Sequence, residues 1–373
     1  MIVADFIVPL DCSAVSLAFM DGSLAATSTF CCGTESFDNL PKGALALIFA
    51  DDSNKPNISI PVVQSLGSLF PSWSENRIIV LGNFIVSGNE DYNVQTLYDL
   101  LQQLLRNGNV PILFSNNQAY AATYLRSMTD ALSVSSLSII APSANTSNVD
   151  GTVSALGHIA QKAAIMPSQM SLLGIQEYFT SPIDTGKLEE CCMQKLRLGA
   201  MRSSIKMAEP YLRDSNLLVV DMSSMRHSDF QMSQIPSPNG IYAEEMCQLL
   251  RYAGFSDNLQ GLIITGYDTL QSNASDAMLL AQMFWHFIEG YENRKQEMPG
   301  IVNFPEKEFY VELGDQNPVT LEFIQSIATE RWWMFIPKGI DGGFWLSCDE
   351  EDYDKVKHHE LPMRWVFAQK INN

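Results

Sequence analysis

The sequence predicts a three-layer α/β/α domain with a mostly parallel sheet, followed by a small β-rich appendage. Three observations lead to this. Short apolar runs recur through residues 43–292, and most of them close on polar or turn-forming residues; runs of this length and texture are buried strands. Segments with apolar residues at helical spacing lie between several of them, and alternating strands and helices build a parallel sheet covered on both faces. After Pro299 the texture changes to closely spaced, aromatic-rich runs. Residues 1–299 are therefore expected as one domain, with 1–40 an irregular lead-in, and residues 300–373 as the appendage.

Taken in order, Ala44–Ala50 is the first strand, and Asp51-Asp52-Ser53 stands at its C-terminal end. Arg77–Leu81 is the second, closed by Gly82-Asn83. Val94–Arg106 is a helix with Leu97, Leu101, Leu104 and Leu105 on one face. Val110–Phe114 is a strand closed by Ser115-Asn116-Asn117-Gln118, and Leu137–Ile140 a strand closed by Ala141-Pro142-Ser143-Ala144-Asn145. Gln169–Ile175 reads as a further strand and Leu188–Leu198 as a helix. Leu217–Val220 is a strand with the carboxylate of Asp221 at its end. A loop punctuated by Pro236, Pro238, Asn239 and Gly240 leads to a helix over Tyr242–Ala253, with Gly254 as its C-cap. Gly261–Thr265 is a strand and Ala277–Tyr291 an apolar helix. In the appendage, Phe309–Leu313, Trp332–Ile336 and Arg364–Phe367 read as strands, Gly339–Gly343 as a turn and Glu350–Lys357 as a short helix.

Composition narrows the function classes. The chain has 373 residues, 46% of them hydrophobic, enough for one large core plus an appendage. No apolar run reaches the length of a membrane span. The N-terminus lacks a basic region and carries Asp5 and Asp11, unlike a signal peptide. Seven cysteines without a C-x-x-C pair point to reduced thiols in a cytoplasm. A net charge of −19 opposes nucleic acid and anionic lipid as partners. Homo-oligomerisation is left open.

No phosphate-binding G-x-x-x-x-G-K-[ST], no G-x-G-x-x-G and no G-x-S-x-G is present. Ser203-Ser204-Ile205-Lys206 matches S-x-x-K but has no partner motif. Cys31-Cys32, Cys191-Cys192, His158 and His286 read as packing residues, and His358-His359 as a solvated pair. Trp332-Trp333 and Trp365 read as the core of the appendage.

Residues 216–254 resemble the ureohydrolase family of arginase, agmatinase and formimidoylglutamase, and the loop placement resembles the formimidoylglutamase-type members. The family motif S-x-D-x-D-x-x-D-P falls on Asp221, Ser223 and Arg226 at its acidic positions, and P-x-P-G-G-L on Pro236-Ser237-Pro238-Asn239-Gly240-Ile241. The family's G-G-D-H falls on Ser115–Gln118, so its histidine becomes Gln118. Its D-A-H-x-D falls on Ala141, Ser143 and Asn145 at the ligand positions. The acidic position after the next strand falls near Thr265. The resemblance implies a fold and a pocket at the strand ends. Family members hold two manganese ions there and split a guanidino or formimino carbon–nitrogen bond with a metal-bound hydroxide.

Here Asp221 alone keeps a ligand-type side chain, so no metal cofactor is expected. Asp221 is either a surviving binding carboxylate or one satisfied by backbone N–H groups. The candidate pocket residues are Asn117, Gln118, Ser143, Asn145, Asp221, Ser223 and His227. The first functional expectation is a non-catalytic member with a binding or assembly role, taking at most a guanidino or amino-acid-like small molecule weakly. The alternatives are an active hydrolase of linear amidines with a remodelled site, and a scaffold acting through the appendage.

Overall fold

The computed structural model describes residues 6–11, 20–30, 40–51, 55–74, 77–147, 151–162, 167, 169–184, 186, 193–313, 319–339 and 342–372. Its main sheet has ten strands: β1 (Ile7–Val8), β2 (Thr29–Phe30), β3 (Leu45–Phe49), β4 (Ile78–Phe84), β5 (Val110–Phe114), β6 (Ser136–Ile140), β7 (Gln169–Ile175), β8 (Gln194–Arg197), β9 (Leu217–Asp221) and β10 (Gly261–Thr265). The order is β1-β4-β3-β5-β10-β9-β6-β7-β8, with β2 beside β4. All pairs are parallel except β1 with β4.

Side-chain alternation explains the two layers of core. In β3, Leu45, Leu47 and Phe49 join the layer under the helices Ser59–Gly67, Ala243–Gly254 and Ala274–Glu292. Ala44, Ala46 and Ile48 join the opposite layer, under Glu90–Arg106, Tyr120–Leu132 and Ala155–Gln161. Both faces are covered, which is why the central strands are apolar at every position rather than at every second one.

Several sequence expectations are corrected. Leu188–Leu198 is not one helix: Gln194–Arg197 is strand β8 on the edge of the sheet, and a helix begins only at Leu198. Here pairing with β7 overrides local propensity; Cys191-Cys192 and the start of that segment lie outside the described residues. The lead-in supplies β1 and β2 to the sheet, although Cys31-Cys32 is likewise outside the described residues. Tyr120–Leu132, absent from the sequence reading, is a helix whose buried residues include Tyr120, Tyr124, Leu125 and Met128.

Gly254 is not a C-cap. It is the last helical residue, followed by Phe255. A Cβ on Gly254 would lie 2.2 Å from the Phe287 carbonyl, and one on Gly290 2.3 Å from the Arg251 carbonyl. The glycines therefore let two helices approach backbone to backbone.

The second sheet holds β11 (Glu306–Leu313), β12 (Val319–Ser326), β13 (Trp332–Lys338) and β14 (Gly342–Cys348), all antiparallel. One face packs with Tyr353 and Val356 of the Glu350–Lys357 helix and with Trp365 and Ala368 of a second helix, Met363–Asn372. The expectation of a strand at Arg364–Phe367 is corrected, since these residues lie inside that second helix. The helical spacing of Trp365 and Ala368 puts both on the sheet. Arg364 reaches the main domain. Its Nε donates to Gln194 Oε1 at 3.1 Å, and its guanidinium pairs with Asp214 at 3.1 Å.

Gly254→Ala is expected to shift the chemical-denaturation midpoint downward, by about 1–3 kcal/mol of stability, because it overpacks a backbone contact. An unchanged midpoint would show that the helices can separate at little cost.

Candidate functional site

Strands β3, β5, β10, β9 and β6 lie side by side and parallel, so the segments after their C-terminal ends share one edge of the sheet. Open α/β sheets place their ligand sites there. The contents of these loops are mostly amides and hydroxyls, and most are already bonded.

After β3, Asp51 is buried and its Oδ1 accepts from the Asn116 backbone at 3.1 Å and from the Tyr267 hydroxyl at 2.7 Å. After β5, Asn117 donates to Glu90 Oε1 at 2.8 Å and accepts from the Ala119 N–H at 3.0 Å. Gln118 is buried between two partners. Its Oε1 accepts from the Ala155 N–H at 2.9 Å, and its Nε2 donates to Gln234 Oε1 at 3.3 Å. After β6, Asn145 donates to the Phe179 carbonyl at 2.6 Å and accepts from the Ser181 N–H at 2.8 Å. It anchors a neighbouring turn with both halves of its amide.

After β9, Asp221 Oδ1 accepts from the Ser223 N–H at 2.9 Å, and Ser223 Oγ lies 3.4 Å from the Gly266 carbonyl. Gly266 has φ +77°, and a Cβ there would stand 1.9 Å from Asp221 Oδ1. This close approach buries the carboxylate, and burial pushes its pKa up to about 6 against the lowering effect of the bonds from Ser223. After β10, Thr265 is buried and its hydroxyl finds no hydrogen-bond partner among the described residues.

The loop from Arg226 to Ile241 closes the edge. Arg226 bonds Asp229 at 2.7 Å, Asp229 accepts from the Ala243 N–H at 3.2 Å, and Tyr242 lies under both Arg202 and Arg226. Arg226, at a family acidic position, thus fastens the loop to the next helix. A Cβ on Gly240 would lie 2.4 Å from the Arg226 nitrogen, so glycine is required where the loop returns past Met225.

The candidate residues divide between two cavities. Asn117, Gln118 and His227 line an outer cleft of about 1120 Å³, together with Lys55, Glu90, His158, Gln234 and Asp268 among others. Ser143, Asn145, Asp221 and Ser223 line an inner chamber of about 50 Å³ whose other walls include Ile139, Leu156 and Ile235. Ile235 borders both. Sequence reading omitted Lys55, Glu90, Gln234 and Asp268, which lie in loops or at a helix start and match no motif. It took His158 for a packing residue; the residue is half-buried and lines the cleft. Among the described residues, no three His, Cys, Asp or Glu side chains converge as a metal-binding group.

Asp221 holds its proton to higher pH in the folded chain than in the unfolded one, where its pKa is about 3.9. Its contribution to stability is therefore greatest below the unfolded value and is lost as pH rises from about 4 to about 6. Asp221→Asn keeps the acceptor for Ser223 and removes the charge. Its stability relative to the natural chain should rise across that window and reach roughly 3 kcal/mol above it, read from urea midpoints at pH 4 and pH 8. A variant less stable than the natural chain at pH 8 would mean that the carboxylate has a cationic partner.

No protein-family profile matches this sequence. No curated protein matches it either. Solved structures do. The formimidoylglutamase from Bacillus subtilis subsp. subtilis str. 168 superposes with TM-score 0.63 at 14% identity, over 75% of this chain and 95% of its own. A formiminoglutamase of Trypanosoma cruzi, solved with Mn2+, gives TM-score 0.61 at 13% identity, over 74% of this chain and 100% of its own. The agmatine ureohydrolase of Thermoplasma volcanium gives 0.54 at 15% identity, over 74% and 96%. The described residues form no helix long and apolar enough to cross a membrane. At these identities the likeness is one of architecture, and it establishes that this chain has the arginase-like fold of the ureohydrolases.

Proposed function

We propose that this chain is a non-catalytic protein of ureohydrolase fold, whose strand-end cleft binds a small neutral or zwitterionic molecule without metal. The observation that supports this most is the state of the six positions at which the family resemblance expects metal ligands. They carry Gln118, Ala141, Ser143, Asn145, Asp221 and Ser223. Gln118 and Asn145 spend both halves of their amides on protein groups, and Asp221 accepts from Ser223. A pair of divalent cations needs anionic oxygen and imidazole ligands to offset its charge and lost hydration. One buried carboxylate among amides and hydroxyls does not fit such a pair.

The outer cleft supports the binding half of the reading. Its lining mixes amides with few charges, and two of the charges, Lys55 and Asp268, pair at 3.8 Å. Of the lining amides, Asn93, Asn117, Gln118 and Gln234 are bonded within the protein, while Asn116, Gln231 and Gln271 are left to offer donors and acceptors together, which suits uncharged or zwitterionic groups. Asp221 is the natural anchor for a cationic group only if the inner chamber opens. A second reading, a hydrolase of linear amidines with a remodelled site, is favoured by His158, His227 and Glu90 all lining the cleft.

Chain purified after growth in manganese is expected to carry far less than one equivalent of the metal, and to hydrolyse neither arginine, agmatine nor formimidoylglutamate. Thermal-shift screening with guanidino, amino-acid and polyamine compounds should give any stabilisation equally with and without manganese. A stoichiometric pair of manganese ions would overturn the metal-free reading. Turnover lost in His227→Ala would establish the hydrolase reading in its place.

A further inference from the structure

One face of the second sheet is left partly exposed among the described residues. Strand register places Tyr310 opposite Glu322 and Phe335 opposite Trp345; one step beyond the Phe323–Met334 pair, Glu322 adjoins Phe335. The row therefore reads Tyr310, Glu322, Phe335, Trp345 across all four strands. Glu308 and Glu312 flank it on β11, and alternation sends no Lys or Arg of the four strands to this face. The helices Glu350–Lys357 and Met363–Asn372 cover the opposite face only. The main domain meets this one along a single end, where Arg213 stacks on Trp333 and Asp214 accepts from the Ser347 N–H.

Beyond that end the row is open: Tyr310 is 59% exposed, and Phe335 and Trp345 are half-buried. It runs into a cavity of about 500 Å³ between the sheet and the main domain, walled by Phe335, Trp345 and Ile301, the last 79% exposed. Asp257 and Glu297 also line this cavity, and neither forms an ion pair among the described residues. Arg213, the cation on its wall, is committed to Glu209 at 3.1 Å and to the Cys348 carbonyl at 3.0 Å. On the sheet, burial and the adjacent Glu308 both push the Glu322 carboxyl up from its ordinary value. In the cavity, Asp257 faces the Arg294 charge and Glu297 accepts from the Ser326 and Thr329 hydroxyls, so the carboxylates that crowd one another are Glu308 and Glu322 on the sheet.

We infer that this face and its cavity are a docking surface for a lysine- and arginine-bearing segment of a partner protein. Charge complementarity selects the occupant. The patch is acidic on a chain of net charge −19, and an indole or phenyl face attracts an ammonium or guanidinium held above it. Trp345 and Phe335 receive the basic side chains, while Glu322 and Glu308, on the two strands beyond Phe335, supply the opposite charge. Aromatic rings among carboxylates favour cations over the apolar helix that a purely hydrophobic groove would take.

The test uses the full chain and a fluorescein-labelled peptide of alternating lysine and alanine, followed by anisotropy at physiological ionic strength, with the glutamate counterpart as control. Trp345→Ala and the double variant Glu308→Lys/Glu322→Lys are each expected to weaken lysine-peptide binding roughly tenfold or more. Glu350→Lys/Glu351→Lys on the covering helix changes the net charge by the same amount and should leave it within about twofold. Circular dichroism and urea midpoints confirm that each variant is folded. Absence of binding, or equal weakening by the two double variants, overturns the proposal, since the second result is what whole-chain charge alone would give. A dimer in sedimentation velocity that Trp345→Ala dissolves would assign the face to a second copy of the chain instead.

Discussion

Parallel pairing of β3, β5, β10, β9 and β6 fixes what every other part of the site can be. Strands that end together bring loops distant in sequence to one edge, and polar groups buried there have to find partners. Charged ligands would leave that task to metal ions. Amides, hydroxyls and a single carboxylate perform it by bonding mostly to backbone, and in one case to another amide. Gln118 closes on Ala155 and Gln234, Asn145 on Phe179 and Ser181, and Asp221 on Ser223. The strand-end space is consequently split into an open cleft and a chamber with room for little more than water.

The same economy extends to the loop over the edge. Arg226 stands at a position where the family resemblance expects an acid, and its guanidinium instead binds Asp229 and lies over Tyr242. Asp229 in turn accepts from the first turn of the Ala243–Gly254 helix. The loop keeps its course, with glycine still needed at Gly240 for the return past Met225, while its chemistry has become attachment.

The second sheet is joined to the first by a buried set of ionic and stacking contacts. Arg364 bonds Asp214 and Gln194, while Arg213 bonds the Cys348 carbonyl and stacks on Trp333. Charges buried this way add little net stability but are costly to separate, so they specify one docking geometry. That geometry holds the aromatic row of the sheet at an angle that leaves it open above the junction cavity.

The sequence by itself determined the architecture. Leu45–Phe49, Val110–Phe114, Leu217–Val220 and Gly261–Thr265 are apolar enough to be strands buried on both faces, and their order along the chain implies a parallel sheet and a polar edge. It also pointed to Gln118, Asn145 and Asp221 in the segments after β5, β6 and β9, because a motif's spacing survives the loss of its ligands, but not to Lys55, Glu90, Gln234 or Asp268. What it could not determine was direction and neighbourhood. Gln194–Arg197 is a strand only because β7 offers it an edge. Arg364–Phe367 is helical because Arg364 and Ala368 reach inward one turn apart. Gly254 carries the same letter whether it caps a helix or admits a neighbouring backbone. The division of the candidate residues into cleft and chamber depends on which amide meets which carbonyl across gaps of tens of residues, as between Gln118 and Ala155. Such contacts depend on distances in the folded chain, and local sequence pattern does not encode them.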